Sequence, residues 1–257
     1  SDVCSSDLEK VALITGAGQG IGQGIAFSLA KRGVRVIAVG RTLEKCEHTC
    51  ALITDRFGTE SRALECDIGN LDTLDGLVSD AHNCFERIDI LVNNAVSTRP
   101  RPLMKQDLGD FQQSLRVGPV ATLRLMQLVQ PLMLEQGEGH IINLASTSAM
   151  RWDNARYSAY AAEKEAIRAL SRGAACEWGP LGIRTNVILP HAKSPALAGW
   201  AEANPQEAAA FEASIPLGRI GDCENDIGEF VALLCSPESS YVNGQSIALD
   251  GGQANLG

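Results

Sequence analysis

The chain has 257 residues, of which 45% are apolar, 21% charged and 5% aromatic. That balance is ordinary for a globular protein and excludes intrinsic disorder, collagen and coiled coil; no run of about 18 apolar residues offers a transmembrane helix. Lys and Arg number 22 against 31 Asp and Glu, a formal charge of −9, and such an acidic surface repels phosphate backbones, so no nucleic-acid partner is expected.

Residues 1–8 lack both a basic start and an apolar core, so they do not read as a secretory signal. They are expected to be a non-native or disordered leader to a single domain at 9–257. Strand-like runs follow at 10–15, 34–39, 62–66, 88–92, 140–145, 184–189 and 246–249. They are nearly continuous in apolar or β-branched residues, the pattern of strands covered on both faces. Helix-length stretches separate them at 21–32, 43–57, 71–85, 107–134, 158–178 and 225–235. This alternation predicts an α/β, doubly wound fold with about seven parallel strands flanked by helices. Residues 192–214, rich in Ala and Glu, predict one or two short helices outside the sheet, either a substrate lid or an inert excursion.

The eight cysteines include no Cys-x-x-Cys and no zinc-finger spacing, so no metal site is expected. Cys46 and Cys50, four apart on a predicted helix, are neighbours but a poor disulfide. Reduced, mostly buried thiols suit a cytoplasmic protein.

Directly after the first strand comes Thr15-Gly16-Ala17-Gly18-Gln19-Gly20-Ile21-Gly22, opening a helix. Glycines there allow a tight turn whose N–H groups approach a pyrophosphate, and the helix N-terminus adds partial positive charge. Residue 23 is Gln, so the strict Gly-x-Gly-x-x-Gly spacing is absent, but the strand-to-helix placement still points to a dinucleotide. The second strand ends in Val39-Gly40-Arg41-Thr42. An acid at that tip would bind a ribose 2′-hydroxyl and repel a 2′-phosphate, whereas Arg41 can pair with the phosphate. NADP(H) is therefore favoured, with NAD(H) possible, and Arg41 stacked on adenine is the alternative.

From Lys10 to Gly252 the chain resembles the short-chain dehydrogenase/reductase family. The matching pieces are the glycine loop, Asp67 after the third strand, Asn93-Asn94-Ala95 after the fourth, Ser146 after the fifth, and Tyr160-x-x-x-Lys164. Further on come Ile183-Arg184-x-Asn186 with Pro190, Pro216-Leu217-Gly218-Arg219, and Asn243-Gly244-Gln245 with Asp250-Gly251-Gly252. The resemblance implies a Rossmann-like fold and an oxidoreductase that moves a hydride between nicotinamide and a carbonyl or secondary alcohol of a small-molecule substrate. Ser146, Tyr160 and Lys164 would be catalytic. Gly16, Gln19, Gly20, Ile21, Gly22 and Arg41 would hold the cofactor. So would Asp67, Ile68, Asn93, Asn94, Ala95, Tyr160, Lys164, Pro190 and Ser194. A dimer or tetramer of identical chains is also implied.

Chemistry agrees with the carry-over. Tyr160 and Lys164 share a helix face, and a neighbouring ammonium favours the phenolate, so the phenol can give or take the proton as hydride moves. Tyr157 fails the spacing to Lys164. Ser146 is the preferred hydroxyl, with Ser148 as a second seat; Ser148, Trp152, His191 and Trp200 are candidate substrate contacts, and Trp200 in the lid points to an apolar substrate.

Three positions depart from the family pattern. Val96 replaces a glycine, His191 replaces another, and Gly118-Pro119 stands where an asparagine of a proton relay is usual, a pair expected to kink its helix. These departures motivate one alternative, a dinucleotide-binding sensor or scaffold with vestigial catalysis; the other is reduction of C=N or C=C bonds, which the same hydride geometry could serve.

Overall fold

Alternate residues of strand β1 (Val11–Thr15) enter two different cores, Ala12 and Ile14 on one face of the sheet, Val11 and Leu13 on the other. β2 (Arg35–Gly40) repeats the pattern with Val36 and Ala38 opposite Ile37 and Val39. Each fully buried Ile or Leu contributes about 1.5–3 kcal/mol through lost water contact, so both faces need a helical layer. In this computed structural model, residues 10–97, 99, 101–150 and 156–254 are described.

The remaining strands are β3 (Ser61–Glu65), β4 (Ile90–Asn93), β5 (Gly139–Leu144), β6 (Ile183–Pro190) and β7 (Ser246–Leu249). All pair in parallel, in the order β3-β2-β1-β4-β5-β6-β7. This is the predicted seven-stranded, doubly wound sheet. In register, Ile14 lies between Ala38 and Val92. The order reverses between β1 and β4, which opens a crevice at the carboxyl ends of those strands.

Helices α1 (Gly20–Lys31) and α2 (Leu43–Phe57) cover one face; α3 (Leu74–Phe85), α5 (Ala121–Gln136) and α6 (Ser158–Trp178) cover the other, with α4 (Leu108–Leu115) packed against α6. The excursion predicted at 192–214 forms α7 (Pro195–Ala203) and α8 (Pro205–Ala213). Among the described residues no helix is long and apolar enough to cross a membrane, and the seven described cysteines are free thiols.

Most boundaries shift by a residue or a short turn, and three segments differ from the sequence prediction for a visible physical reason. The stretch at 107–134 is two helices joined by a π turn (Arg116–Val120), where Gly118 takes non-helical φ −81° and ψ −106° beside Pro119. Glycine tolerates that backbone, and proline has no N–H to continue the ladder. The strand expected from residue 88 begins at Ile90, because the Gln136 amide holds the backbone N–H and C=O of Ile88 at 3.1 and 3.0 Å. The helix expected at 225–235 begins as a π turn (Cys223–Gly228) before α9 (Glu229–Leu234); Asp222 Oδ1 accepts from the N–H groups of Glu224 and Asn225 and caps the turn.

Candidate active site

The loop between β1 and α1 needs its glycines. Gly16 and Gly20 have φ of +68° and +60°, a region that favours glycine, and a Cβ on Gly16 would lie 2.7 Å from Asn94 Nδ2. Asn94 ties this loop to the end of β4. Its Nδ2 donates to the carbonyls of Thr15 and Gly16 at 2.9 and 3.2 Å. Buried Thr15 returns the tie, its Oγ1 accepting from the N–H groups of Asn94 and Ala95. The first turn of α1 holds no acid, and Gln19 at its N-cap forms no side-chain cap bond. The N–H groups of that turn are therefore available to an anion.

A cleft of about 460 Å³ runs along the carboxyl ends of β1, β2 and β4. Gly16, Gln19, Gly20 and Ile21 line it from the loop, and Arg41 from the end of β2. Asp67 and Ile68 border it after β3, Asn94 and Ala95 after β4, and Tyr160 and Ser194 beyond. Asp67 is set by a turn in which its Oδ1 accepts from Gly69 N at 3.0 Å. Ser194 caps α7 by accepting from Leu197 N, and a Cβ on Gly20 would meet Pro195 Cδ at 3.2 Å, so the start of α7 closes against the start of α1.

Other predicted contacts lie outside the cleft lining. Gly22 packs in the helix–strand contact, where a Cβ would strike Gly16 O and Asn94 Nδ2. Asn93 is buried, its Nδ2 donating to Asn143 Oδ1 at 2.8 Å. Pro190 is the last residue of β6, in register with Leu249. Sequence reasoning missed Lys45, which lines the cleft beside Arg41. Its Nζ donates to Gln19 Oε1 at 2.8 Å. The available signal was the four-residue spacing from Arg41 into a predicted helix.

Ser146 stands at the turn after β5, and Tyr160 and Lys164 stand on α6, which packs against β5 and that turn. Ser146 follows β5, is buried, and its Oγ accepts from Ser148 N at 3.2 Å. Tyr160 borders the cleft from the first turn of α6. Lys164 is 2% exposed; its Nζ donates to Leu144 O at 3.0 Å and lies 5.5 Å from the Tyr160 ring centroid. The Tyr157 ring sits 5.7 Å from that of Tyr160. Glu163, also unremarked in the sequence, is 0% exposed, with Oε1 3.4 Å from Lys164 Nζ.

Val96 lines the cleft without left-handed backbone, since Glu86 and Arg156 are the non-glycine residues at positive φ among those described. His191 and Trp200 both meet Phe211 of α8 edge-on, with centroid distances of 5.2 and 6.0 Å, and neither lines the cleft. Trp152 lies outside the described residues.

The family model described as enoyl-(acyl carrier protein) reductase matches residues 16–254. The 12alpha-hydroxysteroid dehydrogenase of Clostridium sp. is 35% identical over 250 residues, covering 95% of this chain and 96% of its own. The crystal structure of levodione reductase superposes with a TM-score of 0.89 at 29% identity, covering 95% of this chain and 97% of that one. A structure described as an NAD(P)-dependent gluconate 5-dehydrogenase from Beutenbergia cavernae, with NADP at low occupancy, has a TM-score of 0.88 and 33% identity over 95% and 96% of the two chains. The chain belongs to the short-chain dehydrogenase/reductase family of oxidoreductases.

Proposed function

We propose that this protein is an NADP-preferring oxidoreductase that moves a hydride reversibly between nicotinamide and a carbonyl or secondary alcohol of a small or medium, apolar organic molecule. The cofactor preference is carried by one observation: two cations, Arg41 and Lys45, border the cleft beyond β2, and no acid stands at that strand's tip. The glycine loop, the uncapped N-terminus of α1 and these cations fit the diphosphate and 2′-phosphate of such a cofactor.

When bound, the cofactor supplies or takes the hydride. Tyr160 gives its phenolic proton to the carbonyl oxygen in reduction and takes the alcohol proton in the reverse direction. Ser146 hydrogen-bonds the same oxygen. Lys164, anchored on Leu144 O, keeps a positive charge beside the phenol. His191, Trp200 and Phe211 give the α7–α8 segment an aromatic cluster suited to an apolar substrate.

Consumption of NADPH and NADH, run in parallel against ketones, aldehydes, cyclic imines and activated alkenes, tests the proposal. NADPH-dependent turnover of a ketone or aldehyde is the expected result. Equal or better use of NADH overturns the 2′-phosphate assignment. The alkene arm answers to the description of the matching family model, and turnover confined to alkenes or imines moves the reaction class. Cofactor binding without turnover across the panel makes the protein a dinucleotide-binding sensor.

A further inference from the structure

Glu163 is a carboxylate with no solvent exposure, placed one residue before Lys164 on α6. Burying a charge is costly unless it is paired and hydrogen-bonded, so its neighbours decide what it does. From α4, the Ser114 hydroxyl donates to Glu163 Oε2. From α6, Lys164 Nζ stands 3.4 Å from Oε1, which receives no hydrogen bond from any described residue. From the π turn, Gly118 supplies space: a Cβ there would lie 2.7 Å from Oε1 and Cδ. Other charges on the packed elements look elsewhere. Asp110 of α4 pairs with Arg101 and Arg99 at 3.2 and 3.7 Å, and Arg116 is exposed. The missing side chain at residue 118 and the buried carboxylate at 163 are thus two halves of one fit.

Beyond Ser114 lies a small cavity of about 80 Å³, lined by Ser114, Ser97 and Gln113 and reaching partly exposed Asp110. A polar cavity of that size has room for water. Lys164 is itself enclosed, so Glu163, Ser114 and this cavity form a continuous line from the ammonium toward solvent.

We infer that Glu163 relays the proton that restores Tyr160 after each reduction, which rests on the proposed role of Tyr160. Tyr160 loses its phenolic proton to the substrate oxygen. The Lys164 ammonium gives a proton to the phenolate, leaving an amine that Glu163 reprotonates by handing on the proton it receives from Ser114. The Ser114 hydroxyl in turn takes one from water in the cavity. The sum is one solvent proton consumed for each carbonyl reduced, and the reverse reaction runs the line outward. Glu163 is a positioning and relay residue, since it touches neither substrate nor cofactor.

The test uses full-length wild type, Glu163→Gln, Glu163→Ala, Ser114→Ala and Tyr160→Phe with a ketone that the wild type reduces. In Glu163→Gln, kcat for reduction falls about tenfold, while KM for NADPH stays within about twofold. The alkaline limb of its kcat–pH profile shifts, and its solvent deuterium isotope effect on kcat rises. Formate restores part of the lost kcat in Glu163→Ala, where a void replaces the carboxylate, and restores none in Glu163→Gln, where the amide fills it. Ser114→Ala, which removes one hydroxyl, shows the same isotope and pH changes in smaller degree and covers the case of a poorly folded Glu163 variant. Wild-type kcat, pH profile and isotope effect in Glu163→Gln or in Ser114→Ala, with Tyr160→Phe inactive, overturn the relay. Turnover in Tyr160→Phe overturns the underlying mechanism instead.

Discussion

Lys45 Nζ donates to Gln19 Oε1 across 2.8 Å, joining the first turn of α2 to the loop that opens α1. The bond holds a cation on the cleft wall next to Arg41, where a 2′-phosphate would meet two positive charges. A charge-assisted hydrogen bond is worth about 1.5–3 kcal/mol, and about 1.4 kcal/mol is tenfold in affinity. Arg41→Ala and Lys45→Ala should each weaken NADPH binding about 10- to 100-fold. NADH binding should change by less than about threefold, because no 2′-phosphate is there to lose. Titration calorimetry with both cofactors checks this; equal losses for the two would remove the charge pair as the discriminating element.

Tyr160→Phe removes one oxygen from a ring packed against Tyr157 and leaves Lys164 its backbone anchor on Leu144. Turnover should fall about 10²- to 10⁴-fold, the usual range for a positioned proton donor. NADPH affinity and the urea midpoint should stay at wild-type values. Tyr157→Phe is the control and should retain activity, since its residue lies seven positions from Lys164. Reversed results would move the proton donor to Tyr157.

The strands were legible in the chain because strands covered on both faces leave an unbroken apolar record, as in Val11–Ile14 and Val36–Val39. The glycine loop was legible because its conformational demand falls on residues close together in the chain, Gly16, Gly20 and Gly22. Groups that act across elements left no such record. Lys45 reaches the cleft from a helix that reads as a plain amphipathic segment, and Asn93, part of a local motif, turns its side chain to Asn143. Glu163 explains Gly118 only when α6 and the π turn are seen together, since 45 residues of sequence separate them. Phe211, which brings His191 and Trp200 together, belongs to a helix with no buried residue to mark its inner face.

The tie between Thr15 and Asn94 should be worth measuring for stability as well as binding. Thr15→Val keeps the shape but removes the acceptor of two backbone N–H groups, those of Asn94 and Ala95. Unsatisfied buried donors cost about 1–3 kcal/mol each. Urea unfolding should show a loss of roughly 2–4 kcal/mol after partial rescue by water, with weaker cofactor binding because Gly16 loses its support. An unchanged midpoint would mean that the end of β4 is held by the sheet alone.

His140, on β5, is 8% exposed and its pKa is lowered to about 3, first by burial and then by the charges of Arg184 and Lys10. The unfolded chain binds a proton at this residue below about pH 6.5, and the folded chain does so only near pH 3. Stability from this group is therefore complete above pH 6.5 and falls as pH drops through the window toward 3. The slope approaches about 1.4 kcal/mol per pH unit. Asp226 is held down to about 2, chiefly by its hydrogen bond from Arg219, so its contribution fades only below the usual carboxylate range near pH 4. The interval from pH 6.5 to 4.5 isolates the histidine from that pair. Urea unfolding at pH 6.5, 5.5 and 4.5 should show wild type losing about 2–3 kcal/mol more than His140→Gln across the interval. Parallel lines for the two proteins would show that His140 takes up its proton in the folded state and is not held neutral by its burial.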